Sequence, residues 1–158
     1  MDRYHWLLFL HIAGAFLVLG GATMAAIFNV EAMRRELPSE IAALFRLTQF
    51  AAISVMVGMT VALIFGLWLV ADLDFVGWGD AWVIIALVLW VVANALGSSG
   101  GRREKATREL AERLATQGDQ PSQELRARLR DPVTLALSYG SGAVVIAILA
   151  LMIWKPGS

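Results

Sequence analysis

The imidazole and thioether side chains that could bind a metal or a cofactor are two histidines and six methionines, and cysteine is absent. His11 lies within a long apolar stretch and is followed by Gly14 and by Gly20-Gly21. An ionisable group so far inside an apolar span should face other helices or a cavity rather than lipid. Neutral imidazole is a good ligand for haem iron and copper. His11 is therefore a candidate ligand of haem b or copper; the alternative is a neutral histidine hydrogen-bonded to a neighbouring helix.

Two methionines of the second apolar stretch, Met56 and Met59, are a candidate thioether pair for Cu(I). On an apolar helix methionine is also an ordinary packing residue, and that reading stays open. His5 lies at the start of the first stretch between two aromatic residues. Six helical residues separate it from His11, a rotation of about 600°, so the two rings point in different directions. We expect His5 at the membrane interface and not at a shared metal ion.

These residues lie in a chain with a membrane protein's composition. Hydrophobic residues make up 58% of the 158 and charged residues only 16%, against roughly 45–50% hydrophobic in a soluble chain. Crossing a bilayer takes about 20 helical residues. The sequence predicts an all-α membrane protein, an antiparallel bundle of four transmembrane helices forming one domain over 1–158. The predicted spans are 4–29, 45–71, 81–97 and 133–154, and a glycine-rich break at 97–101 ends the third.

Basic residues are distributed unevenly between the two sides of the predicted bundle. Of 13 lysines and arginines, only Arg3 and Lys155 lie on the side of the termini. The positive-inside rule then predicts a multi-pass protein of the bacterial inner membrane with both termini outside the cytoplasm. Linker 98–132 becomes a basic cytoplasmic segment. It is either a solvated hairpin or a surface that meets anionic lipid headgroups or a partner protein.

Small residues at four-residue intervals predict where the helices pack. Gly58, Ala62 and Gly66 form a continuous small-residue face on the second span, and Gly14 and Gly21 offer small positions on the first. In lipid, small residues let helix backbones approach closely. We expect the second span to pack against the first or the fourth; the same face could instead join two copies in a homodimer.

Leu10-His11 with Gly14 and Gly20-Gly21 resembles the first helix of several bacterial polytopic families. The copper-resistance protein D family and the haem-binding membrane protoporphyrinogen oxidase family share this pattern, and the resemblance implies a haem or copper ligand at His11. The opening from Trp6 to His11, with Trp82-Val83-Ile84 later on, is similar to a family of small four-helix bacterial membrane proteins of unknown function. That last resemblance covers most of the chain.

Three kinds of function follow from these patterns. The first is a cofactor-binding membrane protein that uses His11; the second is a structural or accessory subunit of a larger membrane complex; the third is a small-solute permease. The middles of the spans carry no charged residue, which disfavours a permease or pump. The sequence contains no HExxH, GxSxG or phosphate-loop motif, so we do not expect an enzyme. Zero net charge gives no indication of nucleic-acid binding.

Overall fold

A computed structural model of the protein describes residues 2–72 and 77–155. These ranges are helical, with no strand among them, and contain the following helices in chain order: α1 (Arg3–Ala32), α2 (Pro38–Asp72), α3 (Ala81–Thr116), α4 (Gln123–Leu129) and α5 (Pro132–Trp154). Four segments are long and apolar enough to cross a membrane, namely α1, α2, α3 and the segment that ends with α5. The predicted all-α fold with four spans is confirmed.

Helices α1 and α2 are antiparallel and pack more closely than any other pair in the described chain. A Cβ atom added to Gly14 would lie 2.7 Å from the backbone nitrogen of Ala62. One added to Gly21 would lie 2.7 Å from the Ala51 carbonyl oxygen, and one added to Gly58 would lie 2.7 Å from that of Gly14. The two backbones are therefore in direct contact at positions where only glycine fits.

Helix α3 does not break at the glycine-rich run, so that prediction was wrong. It continues without interruption for 36 residues, well past the span. A Cβ atom added to Gly97 would lie 3.4 Å from the hydroxyl oxygen of Ser141 on α5. One added to Gly100 would lie 3.4 Å from the hydroxyl oxygen of Ser138 on the same helix. The glycines thus bring α3 close to α5. A helix near a bilayer keeps its internal hydrogen bonds because few other partners are available there, which explains why glycine is tolerated.

The bundle has two distinct ends. Helix α1 begins and α5 ends at what we call the termini side; the connections from α1 to α2 and from α3 to α5 lie at the opposite, linker side. At the linker side the ends of α1, α2 and α3 pack with α4 around a buried apolar cluster. Its buried members are Ala32, Ile41, Ala42, Phe45, Leu110, Ala111, Leu125 and Leu129. Linker 98–132 is therefore not simply a solvated hairpin, because half of this cluster comes from it.

Polar contacts across long sequence separations hold the two linkers together. Asp119, in the left-handed region at φ 51°, accepts hydrogen bonds from the backbone N–H and hydroxyl of Ser39 at 2.8 and 2.6 Å. Its carboxylate thus satisfies a free N–H in the first turn of α2, where a helix favours negative charge. Arg126 donates to Glu36 at 2.7 Å and joins α4 to the α1–α2 connection.

Helix α5 begins with Asp131 as its N-cap and Pro132 in its first turn, a residue pair typical of helix starts. The Asp131 carboxylate accepts hydrogen bonds from the Thr134 hydroxyl at 2.6 Å and from the Thr134 N–H at 3.0 Å. These bonds, with the nearby Arg103 guanidinium, hold the pKa of the Asp131 carboxyl below its usual range. The group precedes the spanning part of α5.

Candidate ligand cavity

His11 is half-buried on α1 and contacts α2 directly. Its Nδ1 lies 2.8 Å from the Ala62 carbonyl oxygen. A carbonyl can only accept, so Nδ1 carries the proton and donates; in the neutral ring the lone pair then belongs to Nε2. Gly66, one turn further along α2, makes room for the ring, since a Cβ there would lie 2.9 Å from its Nδ1 and Cε1. The imidazole is thus fixed in both tautomer and orientation.

A cavity of about 590 Å³ lies beside His11 in the termini half of the bundle. All four spanning helices contribute to its wall, which is mainly apolar. Among the residues that line it are His11, Met59, Trp82, Trp90, Met152 and Lys155. The cavity ends toward the linker side at a packed cluster that includes Val18, Met59 and Ala93. Its size and apolar character match sites that enclose a small organic molecule.

Two tryptophans of α3 contribute to the cavity wall. Trp90 donates its indole N–H to the Met59 carbonyl oxygen at 3.3 Å and so joins α3 to α2. Trp82 is only 6% exposed, and its indole nitrogen has no hydrogen-bond partner among the described residues. The Lys155 ammonium lies 5.5 Å from the centroid of the Trp82 ring, a cation–π contact at the termini end of the cavity.

The cavity is open on one side, between α1 and α5. Helix α1 packs on α2, α2 on α3 and α3 on α5, but α5 has only sparse contact with α1 and buries no residue completely. Both α1 and α5 nevertheless line the cavity, with Phe16 and Ile153 at its edges 71% and 75% exposed. Since these helices span the membrane, the opening faces lipid.

The structure separates the two methionine side chains that the sequence offers as a metal-binding pair. Met59 is 9% exposed and lines the cavity with His11, whereas Met56 is 63% exposed on another side of α2. The two methionines are three residues apart, a rotation of about 300° around the helix. The packing of α2 leaves Met59 inside the bundle and Met56 outside it. His5 is exposed and makes an edge contact with Tyr4, with ring centroids 5.6 Å apart. In the described ranges, histidine and carboxylate side chains nowhere form a group of three that could hold a metal ion.

Sequence reasoning missed the contribution of Trp82 and Lys155. Tryptophans near a predicted membrane interface are usually assigned to an aromatic belt, and a lysine after the last span to snorkelling. Their contact could have been expected from their positions, because Trp82 lies at the start of one span and Lys155 at the end of another. In an antiparallel arrangement those two positions meet on the same side.

Four apolar spans around a membrane-facing cavity define a polytopic integral membrane protein. A family model described as "Predicted integral membrane protein (DUF2269)" matches residues 5–156, and the chain belongs to that family. Neither the curated proteins nor the solved structures give a match to the chain. The expected similarity to membrane proteins of unknown function is confirmed, whereas the likeness of the first helix to the copper-resistance and oxidase families stays a prediction.

Proposed function

We propose that this membrane protein binds a small, mainly apolar molecule inside the bilayer, with His11 as its polar anchor. The observation that carries the proposal is a fixed imidazole in the wall of a cavity that is otherwise mainly apolar. The opening between α1 and α5 lets a lipid-soluble molecule enter from the membrane. Polar groups that are few and fixed in an apolar pocket are the usual means of orienting such a ligand.

Haem b is the particular ligand that the His11 environment favours. Histidines that bind metals commonly donate their other ring N–H to a backbone carbonyl or carboxylate, as His11 does to Ala62. Met59 offers a thioether sulfur in the same cavity, so both side chains could ligate haem iron. Bound haem would supply one-electron chemistry. Copper held by His11 with the methionine pair is less favoured, because Met56 lies outside the cavity.

The alternatives make different demands on the same structure. A permease needs a path across the membrane, but the cavity ends at the cluster of Val18, Met59 and Ala93. A homodimer through the small-residue face would need Gly58 free, and in the chain it contacts Gly14 of α1. If the protein is instead an accessory subunit without a ligand, the cavity should hold no specific molecule.

We also propose an orientation for the protein in the bacterial inner membrane. The linker side lies in the cytoplasm and both termini lie outside it, with the whole chain as one domain. The concentration of arginines at the linker side supports this orientation. The cavity then opens into the outer leaflet, and its ligand comes from there.

Filling the cavity should displace the ligand. Ala15 lines the cavity from α1, and an Ala15→Phe ring would occupy part of the volume. Occupancy should fall at least about tenfold, the equivalent of about 1.4 kcal/mol of lost affinity. Native mass spectrometry of protein extracted gently from its membrane measures the adduct on each chain, and a Soret absorbance band identifies it as haem.

Ala147→Phe is the matched control, since Ala147 is exposed on α5 and does not line the cavity. It should leave occupancy unchanged. Wild-type protein that carries no small molecule, even after supplementation of the cells with haem, would contradict the proposal. Equal occupancy in the two variants would show that the molecule binds elsewhere.

A further inference from the structure

The exposed apolar face of α3 is followed by an arginine at the linker side. Exposed residues recur on this helix every three or four positions, at Ile84, Val88, Val91, Ala95, Ser98 and Arg102. The 18 residues from Ile84 to Arg102 rise about 27 Å, close to the hydrocarbon thickness of about 30 Å. Arg102 therefore emerges from the lipid-facing side of α3 at the depth of the phospholipid headgroups.

The side chains of Arg102 and Arg130 carry charges that no carboxylate in the described part of the chain pairs with. Neither side chain forms an ion pair or hydrogen bond in the described ranges, whereas their neighbours Arg103 and Asp131 pair with each other at 3.2 Å. That ion pair joins α3 to the start of α5 and brings the chain positions of the two free arginines to the same region. Arg102 on α3 and Arg130 just before α5 are thus each one residue away from this ion pair.

We propose that Arg102 and Arg130 bind the phosphate of an anionic phospholipid in the leaflet at the linker side. A guanidinium group presents paired N–H donors that match phosphate oxygens, and basic residues next to a span attract anionic headgroups. The apolar face above Arg102, including Val91 at 59% exposure, accommodates the acyl chains. This face is why the occupant is a lipid and not a free phosphate ion. The site is independent of the His11 cavity.

The chain provides a matched control in Arg113. It is 11 residues beyond Arg102, so it projects from the same face of α3 but about 16 Å farther from the membrane. Like that of Arg102, its side chain is exposed and forms no ion pair or hydrogen bond among the described residues. Arg113 has the same charge as Arg102 but lies too far from the membrane to contact a phospholipid headgroup.

The test is native mass spectrometry of the full-length protein released from nanodiscs that contain equal amounts of phosphatidylglycerol and phosphatidylcholine. The wild type should retain phosphatidylglycerol selectively. In the double variant Arg102→Gln with Arg130→Gln, retention of phosphatidylglycerol should fall at least about tenfold. Each arginine near the bilayer surface strengthens the binding of an anionic lipid severalfold. Arg113→Gln should stay within about twofold of the wild type.

Three outcomes would overturn the proposal. Equal loss in Arg113→Gln would show that general positive charge attracts the lipid. Unchanged retention in the double variant, with its elution profile intact, would show that these arginines do not hold it. Displacement of the lipid by millimolar inorganic phosphate would show a free-anion site.

Discussion

Replacing Gly21 by leucine should force α1 away from α2, whereas the same replacement at Gly20 should be nearly neutral. A Cβ at Gly21 would lie 2.7 Å from the Ala51 carbonyl oxygen and 2.8 Å from a Val55 methyl group. The first of these is backbone and cannot rotate away. We expect Gly21→Leu to cost about 2–3 kcal/mol of stability, in the upper range of overpacking substitutions.

The measurement is thermal unfolding in detergent, in which the midpoint should fall by about 10 °C. Gly20 is the internal control because it is the preceding residue, is exposed, and has no described atom of another helix within 4 Å of its Cβ position. If both substitutions lower the midpoint equally, the effect is general to the helix and the close α1–α2 contact is refuted.

Replacing Leu125 by alanine should detach α4 from the linker-side cluster. Leu125 is 1% exposed and packs among residues of α1, α2 and α3. Buried leucine-to-alanine changes cost about 2–5 kcal/mol, and α4 has only seven residues with which to offset the loss. The linker side should open locally while the spans stay folded.

Trypsin reports this opening because α4 carries Arg126 and Arg128, with Arg130 directly after it. Cleavage there should be at least about tenfold faster in Leu125→Ala, since local opening of a few kcal/mol determines exposure to protease. Leu37→Ala is the control, since Leu37 is 40% exposed. Unchanged cleavage in Leu125→Ala would mean that α4 is not held by this cluster.

Much of the fold follows from the sequence because lipid imposes simple rules. Long apolar stretches must be helices, and four of them appear both as predicted spans and as helices. The N-cap at Asp131 was predictable for a similar reason, because capping depends on neighbouring residues alone. The glycine run at 97–101 gave the wrong prediction of a helix break, since glycine breaks helices in water more readily than beside a bilayer.

The linker-side cluster could not be predicted, because its members come from four helices and their spacing within each helix does not say which helices meet. Asp119 and Ser39 are 80 residues apart, and no local rule pairs them. The candidate site divides in the same way. His11 stood out as a titratable group in a span, but the Ala62 carbonyl that orients it and the cavity beside it depend on how helices pack.

The small-molecule occupancy of the His11→Ala variant, measured by native mass spectrometry on protein extracted from its membrane, tests the ligand site most directly. We expect one adduct per chain in the wild type and in His5→Ala. In His11→Ala we expect at least about a hundredfold loss of occupancy, the equivalent of about 2.7 kcal/mol. The same adduct at the same occupancy in His11→Ala, or its absence from the wild type, would contradict a ligand site at His11.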